Sequence, residues 1–386
     1  MIVRFRRARA TALSLGAVLA LTTACSFGPP DPDEQGAPPN LPKPSVSFSS
    51  EDQGDQEVAV TVLAKGLKVP WGMAFLPDGA ALVTERDSGR ILQVGPKSDA
   101  NGLTVTEVQK LTEVQPSGDG GLLGIAVSPK YETDKAVFVY YSTAKDNRIG
   151  KLTLKGKLQP IVTGIPRSAD GNGGALAFGP DNLLYAGTGD ATNGTLAQNP
   201  KSLGGKILRM TTDGKPVADN PVKDSLVWSS GHRNVQGITW GADRKMYATE
   251  SGQPRNGELN VIEKGKNYGW AKVDGAGNDP ALVNPMQTWP TADSYCAGIA
   301  PVEQSLATAC LLGQRIWLLN VTGNGTVLGS PQALLTKEYG RLRGLVLAPD
   351  GSLWASTSNQ EPGGEPAPDD DRILRLVFSS GGAGRS

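Results

Sequence analysis

The sequence carries a single histidine and only three cysteines in 386 residues. So few imidazoles and thiolates leave no basis for a zinc site of the Cys/His type. Neither charge is in excess, since 38 Lys and Arg balance 38 Asp and Glu. A chain without a net field carries no electrostatic footprint for nucleic acid or an acidic membrane surface. The apolar share is low at 38%, which does not suit a helical enzyme. The glycine-rich string GTGDATNG (187–194) lacks both a P-loop lysine and a strand–helix context, so a phosphate cradle is not expected there. What abounds instead is glycine (49) and proline (28), the punctuation of a turn-rich all-β chain.

The chain opens as an export signal. Arg4, Arg6, Arg7 and Arg9 precede a short apolar core, TALSLGAVLALTTA, too brief for a settled membrane span. The core ends in Leu-Thr-Thr-Ala before Cys25, the pattern of a bacterial lipoprotein signal in which that cysteine is acylated. Thr22 stands where Leu is usual, so cleavage elsewhere with simple secretion is the alternative. The signal is thus 1–24, and lipid anchoring at Cys25 places the protein on the outer face of the cell membrane. Residues 25–57 are rich in Pro, Ser and acids and read as a disordered tether. Cys296 and Cys310 remain and are expected to pair in an oxidising compartment. A loop that short stabilises by about 3 kcal/mol in the chain-entropy model.

Six segments share one pattern: a glycine, alternating apolar residues, a turn often spelled Pro-Asp-Gly, and a second alternating run. Their aligned glycines are Gly72, Gly124, Gly174, Gly237, Gly298 and Gly344. Alternation about a tight turn is a β-hairpin, and the spacing leaves room for two more strands per unit, such as GRILQV, GKILRM, GELNVI and RILRLVF. This predicts an all-β fold, a six-bladed β-propeller over 58–378 with four-stranded antiparallel blades. An open solenoid has shorter, more uniform repeats. VAVTVLAKGL, before the first hairpin, is positioned to complete the last blade, and 379–386 is a Gly/Ser tail.

Loops entering the inner strands of successive blades converge at one end of a propeller's channel. They carry Asp119, Asp170, His232, Arg233, Asn234, Arg341 and Arg343, and Asp190 ends a neighbouring strand. These are expected to share one pocket. Each also has a plainer reading: His232 as a structural hydrogen-bonding group, Asp190 as a turn residue, Arg341 and Arg343 as solvated charges rather than a carboxylate clamp. The acid triplet 369–371 reads as a solvated loop.

Taken in order, GDGGLLGIAVSPKY, LLYAGTGD, GHRNVQG, GELNVIEKGKNYGW and GRLRGLVLAPDG resemble the soluble quinoprotein glucose/sorbosone dehydrogenase family over residues 65–378. The resemblance implies a six-bladed propeller holding pyrroloquinoline quinone (PQQ) and Ca²⁺, with an aldose above the cofactor. By motif it assigns Arg233, Asn234 and Gln236 to the quinone and Arg341 and Arg343 to its carboxylates. The carbonyls of Gly252 and Gln253 would ligate calcium, Asp190 would orient the catalytic base, and Asp119 would contact the sugar.

Two positions depart from that pattern. The family's catalytic histidine, directly before Asn-Gly-Gly, is here Gly171, leaving Asp170 or Asp190 as the nearest bases. Leu311 and Leu312 stand where relatives carry a cation, and Arg315 lies in a different register. Three readings follow: a PQQ-dependent sugar dehydrogenase with a reorganised site, a lipid-anchored propeller that binds a sugar or glycan without turnover, or a protein-interaction propeller.

Overall fold

The computed structural model describes residues 46–48, 58–99, 102–251 and 256–378. The signal, Cys25, most of the tether and the tail lie outside the described residues. Strands β1 (Val46–Phe48) and β2 (Val58–Ala64) precede the repeats. The first blade is β3 (Pro70–Phe75), β4 (Ala81–Glu85), β5 (Arg90–Asp99) and β6 (Gly102–Lys110). The second is β7 (Leu122–Val127), β8 (Ala136–Ser142), β9 (Asn147–Thr153) and β10 (Gln159–Ile165). The third is β11 (Gly173–Phe178), β12 (Leu184–Thr188), β13 (Lys206–Met210) and β14 (Val227–Ser230). The fourth is β15 (Val235–Trp240), β16 (Met246–Glu250), β17 (Gly257–Ile262) and β18 (Gln287–Trp289). The fifth is β19 (Cys296–Val302), β20 (Ser305–Cys310), β21 (Arg315–Val321) and β22 (Val327–Leu334). The last is β23 (Leu342–Leu347), β24 (Leu353–Thr357) and β25 (Ile373–Phe378), completed by β2.

The result is a ring of six antiparallel blades. Inner strands β3, β7, β11, β15, β19 and β23 touch in that order, and β23 returns to β3. The second strands β4, β12, β16 and β24 are buried along their whole length, because each blade is covered on both faces by its neighbours. Each hydrophobic cluster accordingly spans one junction. Leu82 and Ile91 of the first blade meet Val137 and Val139 of the second, and Trp354 of the last meets Met73 and Val83 of the first.

The repeat glycines are where inner strands come closest. A Cβ on Gly124 would lie 2.2 Å from the Gly174 carbonyl, and one on Gly298 would lie 2.2 Å from the Leu345 amide. Any side chain there would force blades apart at the axis.

Closure rests on β2, which pairs antiparallel with β25 from Val58 opposite Phe378 to Ala64 opposite Ile373. Two expectations are corrected here. Residues 46–48 pair with β2 rather than belonging to an unstructured tether, and extend the last blade by one edge strand. The acid triplet is not a solvated loop either, since Asp370 and Asp371 are buried. Asp371 accepts from the amides of Val69 (3.2 Å) and Asn359 (2.5 Å) and from Thr357 Oγ1 (3.1 Å), tying the ring's two ends together. Within the fifth blade, a disulfide joins Cys296 to Cys310, which sit opposite one another on β19 and β20.

Candidate active site

At the end of the ring where loops enter the inner strands lies a cavity of about 710 Å³, walled by Asp119, Asp170, Gly171, Asp190, Arg233, Asn234, Ser251, Trp270 and Tyr295 among others. Its side chains come from the segments around four successive blades, so the packing of neighbouring blades builds it. The loop before β11 forms one wall and is fastened through Asn172. Asn172 Nδ2 donates to Ser168 O (2.9 Å) and to an Asp119 carboxylate oxygen, and its Oδ1 accepts from Asn147 Nδ2 (2.9 Å). The Gly171 amide donates to the other Asp119 oxygen (2.9 Å). Asp119 therefore holds this loop in place, and burial raises its pKa against those bonds.

Gly171 has φ +74°, and a Cβ there would lie 2.8 Å from Asp190 Oδ1. Asp190 thus fills the space where a side chain at 171 would begin. It is 4% exposed, and burial raises its pKa, opposed chiefly by the hydrogen bond from Trp270. Trp270 Nε1–H donates to Oδ2 (2.7 Å) and the Thr192 amide donates to Oδ1 (2.9 Å). Ala191 (φ 51°) and Thr192 (φ 62°) are both left-handed. That uncommon backbone, typical of functional sites, turns the Thr192 amide back onto the carboxylate. Arg233 lays its guanidinium over Trp270, 5.1 Å from the ring centre, so a flat cationic wall faces the acids. Asp170 is exposed at the rim.

Asn234 lines the cavity with its side chain engaged: Oδ1 accepts from the Gly173 amide (2.7 Å) and Gln236 Nε2 (3.1 Å), and Nδ2 donates to Ser251 Oγ (2.8 Å).

Other expected members lie elsewhere. His232 is fully buried, with Nδ1 bonded to Glu250 Oε1 (2.6 Å) and Nε2 to Ser229 Oγ (2.8 Å), and it stacks on Tyr268. It bears out the structural reading and is no wall of the cavity. Gln236 and Arg343 line the central channel, a separate space of about 600 Å³ between the inner strands. Arg341 borders a polar recess of about 300 Å³ near Asp370 and Arg372. Arg343 Nη2 donates to both carboxylate oxygens of Glu361 (2.7 and 2.9 Å), and Nη1 donates to Gln236 Oε1 (3.2 Å). The expected free clamp for ligand carboxylates is therefore closed by an internal acid. Burial would raise the Glu361 pKa, but Arg343 and Arg86 outweigh it and hold it down at about 2. Leu311 is buried, and Arg315 is taken up by Asp293 (3.0 Å).

Gly252 and Gln253, the expected calcium ligands, lie outside the described residues. Among the described residues no three His, Cys, Asp or Glu side chains gather as a metal site. Sequence reasoning did not pick out Trp270, Tyr295, Ser251 or Glu361. Trp270 had a signal, as the last residue of the Asn-Tyr-Gly-Trp string, while the others had none of their own.

A family model described as Glucose / Sorbosone dehydrogenase matches residues 67–364, most of the chain. The chain belongs to the glucose/sorbosone dehydrogenase family. Among solved structures, the PQQ-bound aldose sugar dehydrogenase of Streptomyces coelicolor is 43% identical with a TM-score of 0.78, covering 83% of this chain and 98% of that one. Aldose sugar dehydrogenase YliI of Escherichia coli is 28% identical over 78% of this chain and 90% of its own. Quinoprotein glucose dehydrogenase B of Acinetobacter calcoaceticus is 29% identical over 58% and 54%. These relatives are sugar oxidoreductases. At the position where the resemblance implies a histidine, this chain has Gly171, with a left-handed backbone and a Cβ position only 2.8 Å from Asp190 Oδ1.

Proposed function

We propose that the protein is a PQQ-dependent aldose dehydrogenase in which Asp190 serves as the proton acceptor. The observation that carries this reading is the placement of Asp190 Oδ1, 2.8 Å from where a residue-171 side chain would start, on the wall shared with Arg233. The cavity's size suits a cofactor-sized ligand. Arg233 stacked on Trp270 offers a flat cationic face to a planar polycarboxylate. Arg341 and Arg343, behind Tyr295, each keep a buried Nε without an acceptor among the described residues. Arg233 and Asn234 fit the rings of PQQ, while its carboxylates would reach Arg341 and Arg343 in competition with Glu361. Calcium would depend on the carbonyls of Gly252 and Gln253.

When bound, the quinone supplies a hydride acceptor for oxidation at the sugar C1. Asp190 accepts the C1 hydroxyl proton, and its raised pKa brings its basicity closer to neutrality. Trp270 and Thr192 fix its orientation. Asp119 holds the Gly171 loop, and exposed Asp170 faces the incoming sugar. The arginine-rich start and the box ending at Cys25 support export and lipid anchoring, and Cys25→Ala should release the protein from the membrane fraction.

The test is a PQQ titration with Ca²⁺, followed by dye reduction with a panel of aldoses. Asp190→Asn should lower kcat/KM by about 10²–10⁴-fold, the usual worth of a general base, while PQQ affinity holds. Tight PQQ binding with no sugar-dependent reduction in the unaltered protein would instead identify a carbohydrate-binding propeller, the reading that the missing imidazole favours.

A further inference from the structure

Beside the cavity lies a cluster in which the two arginines assigned to the cofactor's carboxylates already meet an internal acid. Arg86, from the loop after β4, and Arg341 and Arg343, at the start of β23, converge on the carboxylate of Glu361, in the loop before β25. Arg343 takes both carboxylate oxygens (2.7 and 2.9 Å), Arg86 Nη1 donates to Oε1, Ser358 Oγ donates to Oε2 (3.2 Å), and Arg341 Nη2 stands 3.8 Å away. Arg86 also pairs with Asp87 (2.7 Å). Three guanidiniums thus face two carboxylates, one of them Asp87 at the surface, leaving an excess positive charge largely out of water. The Arg343 side chain is 3% exposed, and its Nε finds no acceptor among the described residues, nor does Arg341 Nε. Tyr295 links the cluster to the cavity: it lines the cavity and is close enough to Arg343, Asp119 and Glu361 to sense their charges.

Buried guanidiniums are costly without counter-charges and full hydrogen bonding. Here the Arg343 nitrogen that a two-pronged contact with a ligand carboxylate would need is already used internally. We propose that Glu361 is a built-in pseudo-ligand of a polycarboxylate site: it occupies Nη2, the nitrogen common to both two-pronged edges of the Arg343 fork, and thereby weakens anion binding. Removing its charge opens the fork. The inference draws on the quinone reading only for the identity of the natural anion.

The experiment compares the full chain with Glu361→Gln by thermal midpoint against citrate concentration at constant ionic strength. Citrate, a small tricarboxylate, raises the midpoint of whichever protein binds it, by mass action. The expected result is an apparent citrate affinity at least ~10-fold higher for Glu361→Gln, lost again in Glu361→Gln/Arg343→Met. Equal citrate dependence in a folded Glu361→Gln protein would overturn the proposal. If Glu361→Gln does not fold, Glu361→Asp keeps the charge but draws it back from the fork, and an unchanged citrate response there overturns it equally. PQQ titrated into the same proteins separates the two ideas. A citrate gain without PQQ binding to either protein keeps the pseudo-ligand and defeats the quinone assignment. Equal PQQ binding to both without a citrate gain does the reverse.

Discussion

Restoring the family's missing base should fail, and the reason is local. At Gly171 the backbone sits at φ +74°, where a Cβ would meet Asp190 Oδ1 at 2.8 Å and the amides of Ala191 and Thr192 at 3.3 Å. A left-handed conformation costs a residue with a side chain about 1–2 kcal/mol. Displacing Asp190 from the Thr192 amide (2.9 Å) forfeits about 1 kcal/mol more. Gly171→Ala should thus lose about 2–3 kcal/mol. For a propeller of about 320 residues, with an unfolding entropy near 2.1 cal/mol/K per residue, that is a fall of about 3–5 °C in thermal midpoint. Gly171→His should fall at least as far. Its imidazole would enter a space that Asp190 holds, so sugar-dependent dye reduction should drop rather than rise. The assays are differential scanning fluorimetry and dye reduction on PQQ-loaded protein. An alanine variant within 1 °C of the parent would refute the crowding argument, and a more active histidine variant would refute Asp190 as the base.

Other substitutions probe the surrounding frame. Glu258 is half-buried opposite Glu250 and accepts from the Gly275 amide (2.9 Å) and Asn260 Nδ2 (3.3 Å); desolvation and then the Glu250 charge push its pKa well up. A carboxyl raised in the fold contributes stability below its unfolded pKa that is lost as pH rises through the folded one, so Glu258→Gln should raise the midpoint at pH 8 and leave it nearly unchanged at pH 5. Lys206 Nζ donates to the carbonyls of Leu196, Ala197 and Gly204 (2.7–2.8 Å), pinning the short helix Thr195–Gln198 behind the Asp190 loop. Burial lowers its pKa to about 8, but three carbonyl acceptors use all three hydrogens of an ammonium. Lys206→Met should cost about 2–4 kcal/mol and speed amide exchange across residues 190–205, and unchanged exchange would count against the pinning role. Replacing Cys296 and Cys310 by Ser should cost about 3 kcal/mol, read as a matching midpoint loss when the parent is reduced.

The blades were legible because each is written locally. Alternation, turn residues and a recurrent glycine lie within one stretch of chain, and the close approach of Gly124 to Gly174 explains why the glycine recurs. The anomaly at Gly171 was equally legible, since one motif position suffices to show it. The burial of Asp370 and Asp371 was not, because a run of acids looks the same whether it faces water or caps a backbone amide 302 residues away.

By itself, then, the sequence determined the number of blades, the strand that closes the ring, the loops that face the cavity and the absence of an imidazole at 171. These depend on short-range periodicity and backbone freedom. Only the tertiary structure decided which charges are free. Arg343 and Gln236 are 107 residues apart, Arg86 and Glu361 are 275 apart, and Trp270 meets Asp190 across 80. Whether an arginine points at a ligand or at its own glutamate depends on blades meeting around the ring. No local pattern encodes that choice, because the partners become neighbours only when separate blades pack around the axis.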